Sequence, residues 1–409
     1  MRTATIRAID YYSGRTGCFV LTCLRRILRA IGIRERPNGP ARKILFIKLV
    51  EQGATVLAYD ALERAIALVG REHVYFCAFQ KNREILDILG LIPEHNILTI
   101  RTTNPVALIK DTLHVIARTR RDRVDAIIDM EFFARGSAML AYLCGGTRRV
   151  GIDRFTCEAP YRGDLMTHRL QHNPYVHTAV AYRLLVEALQ HPPETIPQGK
   201  VPTAQFAPAV PVFQPEQEER ERLCGLLLEA TGWVPGKPLI VFNPNSDDSL
   251  TVRKWPLERY TELGKRILQS HPEASIAIVG TPEERGPAAA LAAAIDAPNA
   301  VSLAGQTSLR EVVVLLALGD VLVTNDCGPA HFAAMTPIHV VVFFGPETPT
   351  LFRPLGERVH VIHKRLACSP CLNVLNHRLS PCRDNRCIQA ITVDEVYAAV
   401  LECLAQRQG

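Results

Sequence analysis

The chain has 409 residues, 47% hydrophobic and 22% charged, a globular composition long enough for two or three domains of about 100–200 residues. The formal charge of +6 is concentrated at the start: residues 1–43 hold ten basic side chains against Asp10 and Glu35, leaving the remainder at −2. This excludes a uniformly basic nucleic-acid binder, and twelve cysteines in such a long chain are too dilute for a disulfide-built scaffold.

The basic arm has helical period. Val20, Leu21, Leu24, Ile27, Leu28 and Ile31 recur at three- and four-residue steps, with Arg25, Arg26 and Arg29 expected on the other face. Pro37, Gly39 and Pro40 end it. A basic amphipathic helix reads as an element for an anionic membrane surface, or as a helix packed on the protein's own body. No uncharged apolar run approaches the ~18 residues of a spanning helix, and the arginines interrupt any signal-peptide pattern. The reducing cytoplasm is the expected compartment.

From Lys43 the pattern becomes strand, loop, helix. Strands are predicted at 43–49, 73–78, 96–100 and 125–129, with helices at 55–68, 83–89, 106–118 and 137–143. A Pro-rich stretch around 194–215 reads as a linker. A helix over 216–231 then opens a second series. Its strands are predicted at 238–242, 275–279, 300–302, 321–324 and 338–343, and its helices near 257–270, 286–295, 309–318 and 330–335. The fold class is therefore α/β, with two doubly wound Rossmann-like domains: an arm over 1–42, a first domain over 43–195, a linker over 196–215 and a second domain over 216–409. Ligands of such sheets bind beyond the carboxyl ends of strands, here expected in a cleft between the domains.

Four predicted strand ends in the second domain carry small or charged residues. Asn325-Asp326-Cys327-Gly328-Pro329-Ala330-His331 precedes a helix whose free N–H groups suit a phosphate; its bland reading is a capped helix with an ordinary histidine. Phe242-Asn243-Pro244-Asn245-Ser246 is followed by Arg253-Lys254-Trp255-Pro256. Gly280 is followed by Glu283 and Glu284, carboxylates suited to ribose hydroxyls, and Phe344-Gly345-Pro346-Glu347 is the fourth. Together they suit a nucleoside-diphosphate ligand.

These elements resemble those of the family 9 glycosyltransferases, whose best-known members are the lipopolysaccharide heptosyltransferases. The resemblance runs from Lys43 to about Leu404 and rests on Ile44–Lys48 with Gly53, Arg253-Lys254-Trp255-Pro256, Val279-Gly280, the D-x-G-x-x-H element Asp326–His331, and Phe344-Gly345-Pro346. It implies a GT-B fold and inverting, metal-independent transfer of a sugar, heptose favoured, from a donor such as ADP-heptose to a lipopolysaccharide or glycolipid acceptor. The enzyme would be a monomer working at the cytoplasmic face of the inner membrane, needing no catalytic cofactor and no nucleic acid. The donor would meet Asn245, Ser246, Arg253, Lys254, Gly280, Glu283 or Glu284, Asp326, Cys327, Gly328 and His331. The last is also a catalytic candidate.

Three departures matter. Cys327 stands where the family often has threonine, and Arg253 where many members have lysine. Ala54 stands where heptosyltransferases carry an Asp directly after the loop glycine, their expected general base. A base must accept the proton of the attacking hydroxyl. Glu51 is the nearest acid, with Asp129 or Glu131 second. A non-catalytic member that binds a nucleotide sugar or glycolipid is the alternative that Ala54 favours.

Arg135, Arg148, Arg149, Arg154, Arg162 and Arg169 are dense between 131 and 169. They read either as partners of acceptor phosphates or as a solvated face. Cys368, Cys371, Cys382 and Cys387 have metal-like spacing. A structural zinc site, with His377 as a spare ligand, and disulfides or free thiols are both open. A zinc module for nucleic acid is disfavoured by the −2 body.

Overall fold

The structure is a computed structural model; it describes residues 3–33, 39–157, 159–245, 248–376 and 378–406. Arg2, Arg34, Glu35, Arg36 and Pro37 of the arm lie outside the described residues, as do Ser246 and His377. The chain divides into two compact units: Met1–Ala209 with Val374–His377, and Val210–Asn373 with Arg378–Gly409.

The first unit begins with helix α1 (Thr3–Ala30). Its strands are β1 (Ile44–Ile47), β2 (Val74–Phe79), β3 (Ile97–Ile100), β4 (Ala126–Asp129), β5 (Arg148–Asp153) and β6 (His168–Gln171). The intervening helices are α2 (Gln52–Leu57), α3 (Tyr59–Val69), α4 (Arg83–Leu89), α5 (Pro105–Arg121), α6 (Arg135–Leu143) and α7 (Thr178–Glu187). The six strands form one parallel sheet in the order β3-β2-β1-β4-β5-β6. β1 is an unbroken buried run, Ile44-Leu45-Phe46-Ile47. A central parallel strand covered on both faces reads as continuous rather than alternating hydrophobicity.

The second unit repeats this plan. It contains β7 (Leu239–Asn243), β8 (Ser275–Ile278), β9 (Ala300–Ser302), β10 (Val321–Asn325), β11 (His339–Phe344) and β12 (Val359–His363). Its helices are α8 (Gln217–Thr231), α9 (Leu257–Ser270), α10 (Arg285–Ile295), α11 (Leu309–Leu318), α12 (Gly328–Ala333), α13 (Pro349–Phe352), α14 (Arg386–Gln389) and α15 (Val393–Gln406). The sheet order is β12-β11-β10-β7-β8-β9, the same doubly wound order. Each sheet reverses direction between its first and fourth strands, β1/β4 and β7/β10, and ligands of this architecture bind at that switch point.

Pattern reading missed β5, β6, α7, β12, α13, α14 and α15. β5 and β6 carry Arg148, Arg149, His168 and Arg169 inside the strands, so hydrophobic periodicity does not mark them.

The arm is a 28-residue helix, much longer than its apolar repeat, and it packs on the unit through small and polar residues, with Leu21 at the margin of the core, rather than through its apolar stripe. Cys18, Thr22 and Arg25 are buried against the unit. Arg25 Nη1 donates to Asp164 O at 2.5 Å and pairs with Asp164 Oδ1 at 3.2 Å. Asp10 accepts from the backbone N–H groups of Arg135 and Gly136 at 2.9 and 2.6 Å, at the first turn of α6. Gly14 allows this approach: a Cβ there would lie 2.7 Å from Arg135 Cβ. The small and polar face is therefore inward, and Tyr12, Phe19, Val20, Ile27 and Ile31 are exposed. Among the described residues, no helix is long and apolar enough to cross a membrane.

Candidate active site

In the first unit, charged residues gather at the β1/β4 switch point. Lys48 follows β1 and is only 1% exposed. Its Nζ donates at 3.2 Å to Glu51 Oε2 and to both Glu131 carboxylate oxygens. Glu131 Oε1 also accepts from the N–H groups of Leu49 and Val50 at 2.7 and 3.1 Å. That carboxylate closes the β1 loop and is largely occupied. Glu51 caps α2 with φ 72° and ψ 86°. A non-glycine residue held in this left-handed region stores backbone strain, a pattern that clusters at functional sites. Its side chain is the most open of the three, so it is the acid of this cluster best placed to meet a substrate. Ala54 is buried in α2.

Asp129 does not suit the role of base. It is fully buried; Oδ1 accepts from Glu131 N at 3.0 Å, and Oδ2 accepts from Ser137 Oγ at 3.0 Å and pairs with Arg162. Burial pushes its carboxyl up to about 6 against the opposing pull of Arg162. It is an anchor for the β4–α6 loop. The dense arginines also change meaning. Arg135, Arg148, Arg149 and Arg162 are 6%, 5%, 1% and 3% exposed. Arg149 donates to Leu165 O and Gly146 O at 2.6 Å, and Arg162 donates to the carbonyls of Ala134, Phe132 and Ile152. Neither a solvated face nor a phosphate-facing patch describes these four: they tie loops together. Arg154 is exposed and donates to Thr156 O, and Arg169 pairs with Asp153 at 3.5 Å.

In the second unit, the segments after β7, β8 and β10 converge through asparagines, and the loop after β11 joins them through Glu347. Asn325 at the end of β10 accepts from Trp255 N at 2.9 Å and donates to Pro244 O and Asn245 O at 2.8 and 3.3 Å. Asn245 donates to Val279 O at 3.1 Å. A Cβ on Gly280 would lie 2.8 Å from Asn245 Nδ2, so this glycine is required by loop packing. Glu284 accepts from Thr281 N at 2.8 Å and closes a capping box, which engages one of its oxygens in the fold. Glu283 is exposed.

Around this frame lies a buried charge cluster. Arg253 Nη1 is 3.4 Å from Asp326 Oδ2 and donates to Asp326 O at 3.2 Å; Nη2 is 3.0 Å from Glu347 Oε2. Arg378 Nε approaches the same Glu347 oxygen at 3.9 Å. Asp326, Glu347 and His331 are 6%, 1% and 7% exposed. Burial raises both carboxyls above their ordinary range, that of Glu347 to about 8, against the pull of Arg253. Lys254, next to Arg253, is half-buried, and its carbonyl accepts from Asn385 Nδ2 at 3.0 Å.

Cys327 is not part of this polar surface. Asn243 Nδ2 donates to its sulfur at 2.9 Å, Thr324 Oγ1 lies 3.3 Å away, and burial pushes the thiol up to about 12. Helix α12, which starts at Gly328, has only six residues, so its dipole is short and the cationic character comes mainly from arginines. Lys48 and Glu347 were named from sequence only as members of motifs, with no role of their own, and Arg378 was not named. Lys48 had a legible signal, a lysine ending an apolar strand; Arg378 had none.

The four cysteines do not fit one tetrahedral ion as they stand. Cys387 is buried beside Gly345 and Ile388 in the apolar core. Cys371 accepts from Ser380 Oγ at 3.2 Å, Cys382 donates to Asp384 O at 3.1 Å, and Cys368 is exposed. Among the described residues, no three of these sulfurs gather within 4.8 Å of one another. The expected zinc site is not formed, and all four are free thiols.

The two doubly wound sheets, with their charged clusters at the switch points, define the GT-B class of fold. The family model for glycosyltransferase family 9 (heptosyltransferase) matches residues 113–379, and the chain belongs to that family. It is 27% identical over 155 residues to lipopolysaccharide heptosyltransferase 2 of Salmonella typhimurium, 37% of this chain and 44% of the relative. It is 26% identical over 229 residues to the Escherichia coli K12 protein of the same name, 55% of this chain and 61% of the relative. The match thus spans about half the length of these relatives. The solved E. coli ADP-heptose lipopolysaccharide heptosyltransferase II superposes with a TM-score of 0.68 at 19% identity, covering 90% of this chain and 100% of that one, a likeness of fold.

Proposed function

We propose that the chain transfers a heptose from an ADP-heptose donor to a lipopolysaccharide core or related glycolipid, with inversion and without a catalytic metal. The observation that carries this reading is the Arg253–Asp326–Glu347–Arg378 cluster at the β7/β10 switch point; family membership and the ADP-heptose of the solved relative support it. A nucleotide diphosphate gains negative charge as the glycosidic bond breaks, and guanidinium groups held before the reaction stabilise that charge without reorganising. On the acceptor side, Glu51 takes the proton as the hydroxyl oxygen bonds to the anomeric carbon and the bond to diphosphate breaks. A single displacement of this kind inverts the anomeric centre. Incubation with ADP-heptose and a heptose-deficient lipopolysaccharide acceptor tests the reading: transfer in the presence of EDTA is expected. No transfer and no ADP binding would remove it.

A second reading follows from Ala54. If ADP-heptose binds but is neither transferred nor hydrolysed, the chain is a binding member of the family, lacking the acid its relatives carry at this position.

The membrane side of the proposal rests on α1. Its exposed apolar residues lie on the face away from the unit, with Arg15 and Arg26 exposed beside them. Apolar burial flanked by cations suits the anionic cytoplasmic leaflet of the inner membrane.

A further inference from the structure

Three donor side chains that the transfer chemistry does not use meet near the start of β11, the end of the second sheet away from the loops above. His339 opens β11, His360 lies on β12 and Cys403 on α15, and one ligand atom from each lies within 4.8 Å of the others. One side of this group is apolar core, and Arg358 and Glu402 stand at its margin. Val341 and Phe343, the next residues of His339's face of β11, belong with Val400 and Cys403 to one buried apolar cluster, and Ile362 packs against it. The two imidazoles lie 6.4 Å apart between centroids at 44°. His339 Nδ1 is buried and, among the described residues, makes no hydrogen bond. A buried nitrogen lone pair or N–H without a partner calls for an explanation.

We infer that His339, His360 and Cys403 form a site for a divalent d-block cation of the zinc or cobalt type, closed by one water. Two imidazole nitrogens and one sulfur are the donors that borderline-soft ions select. Metal–nitrogen bonds of about 2.0–2.1 Å and a metal–sulfur bond of about 2.3 Å place tetrahedral ligand atoms about 3.3–3.6 Å apart, so the three atoms close in on the ion when it binds. The ion would join edge strand β12 and the C-terminal helix to β11, a structural clamp remote from the charge cluster at the switch point.

Cobalt titration of the EDTA-treated full-length chain tests this independently of transfer activity. The expected result is one tightly bound equivalent, with visible d–d bands and a near-ultraviolet thiolate-to-cobalt band. Cys403→Ser, nearly isosteric, should abolish the thiolate band while far-ultraviolet circular dichroism stays unchanged. His360→Ala, at an edge strand, should weaken binding at least tenfold and remove the zinc-induced rise in Tm. Absence of cobalt binding overturns the inference. So does a band that survives Cys403→Ser and is lost with Cys371→Ser, which would assign the metal to the cysteine-rich segment.

Discussion

Glu347 Oε2 lies 3.0 Å from Arg253 Nη2, and the same guanidinium meets Asp326 Oδ2 at 3.4 Å. Two buried carboxylates thus share one arginine, with Arg378 at the margin of the cluster. Glu347 is the more buried, and burial raises its carboxyl from 4.5 to about 8. A carboxyl raised on folding binds its proton more tightly in the native state. Its contribution to stability is complete below the ordinary value and declines as pH rises through about 8. Thermal unfolding of the wild type should show Tm falling between pH 5 and pH 8.5, and Glu347→Gln should flatten that slope. An unchanged slope in the variant would assign the titration elsewhere.

Arg253→Ala should lower kcat by about 10²–10³, the usual effect of removing one donor that stabilises departing charge. It should also destabilise the fold by a few kcal/mol, about 3–5, because the buried Asp326 loses its counter-charge and Glu347 its guanidinium partner. Arg253→Lys keeps the charge but not the fork, so it should recover stability more fully than turnover. Steady-state kinetics and urea denaturation of the three proteins separate the two effects.

Glu51→Gln keeps the shape of the loop and removes the proton acceptor. Transfer should fall by about 10²–10⁴ with ADP affinity, read by calorimetry, unchanged. Asp129→Asn behaves differently. It leaves Arg162 buried beside a neutral amide and should cost about 3–5 kcal/mol of stability. If Asp129→Asn were as stable as the wild type and lost only turnover, Asp129 rather than Glu51 would be the base.

The α1 helix calls for surface substitutions rather than deletion, because removing residues 1–42 also removes the buried Cys18, Thr22 and Arg25 contacts. Phe19→Ser with Ile27→Ser should reduce co-sedimentation with vesicles containing anionic lipid, while Tm stays within about 2 °C of the wild type. Wild-type binding should weaken with salt and with neutral vesicles. Equal binding of variant and wild type would show that this face is not the lipid contact.

Native thiol labelling gives a fifth check. Cys157 and Cys368 are exposed, whereas Cys77 and Cys403 are buried, with burial pushing both thiols up, that of Cys403 to about 12. A thiol reagent at pH 8 should modify the first pair quickly and the second pair only on unfolding.

Much of the α/β framework was legible because parallel strands such as Ile44–Ile47 and the Val340–Phe344 stretch of β11 are continuous apolar runs bounded by loops. The sheet interior, the basic helical arm and the small-residue loops at strand ends follow from residue order alone, since period and turn chemistry are local properties. Strands β5 and β6 were not legible, because their buried arginines and histidine look polar until tertiary carbonyls and carboxylates are supplied to satisfy them. The same reason governs the roles of individual residues. Only the folded chain turns the Cys327 thiol toward Asn243, encloses Asp129 with Arg162 and Ser137, and brings Arg378 to Glu347. Only the folded chain, too, turns the polar face of α1 inward and its apolar face out. A side chain's direction and partners are set by which distant segments pack against it, and that information is absent from any local window of sequence.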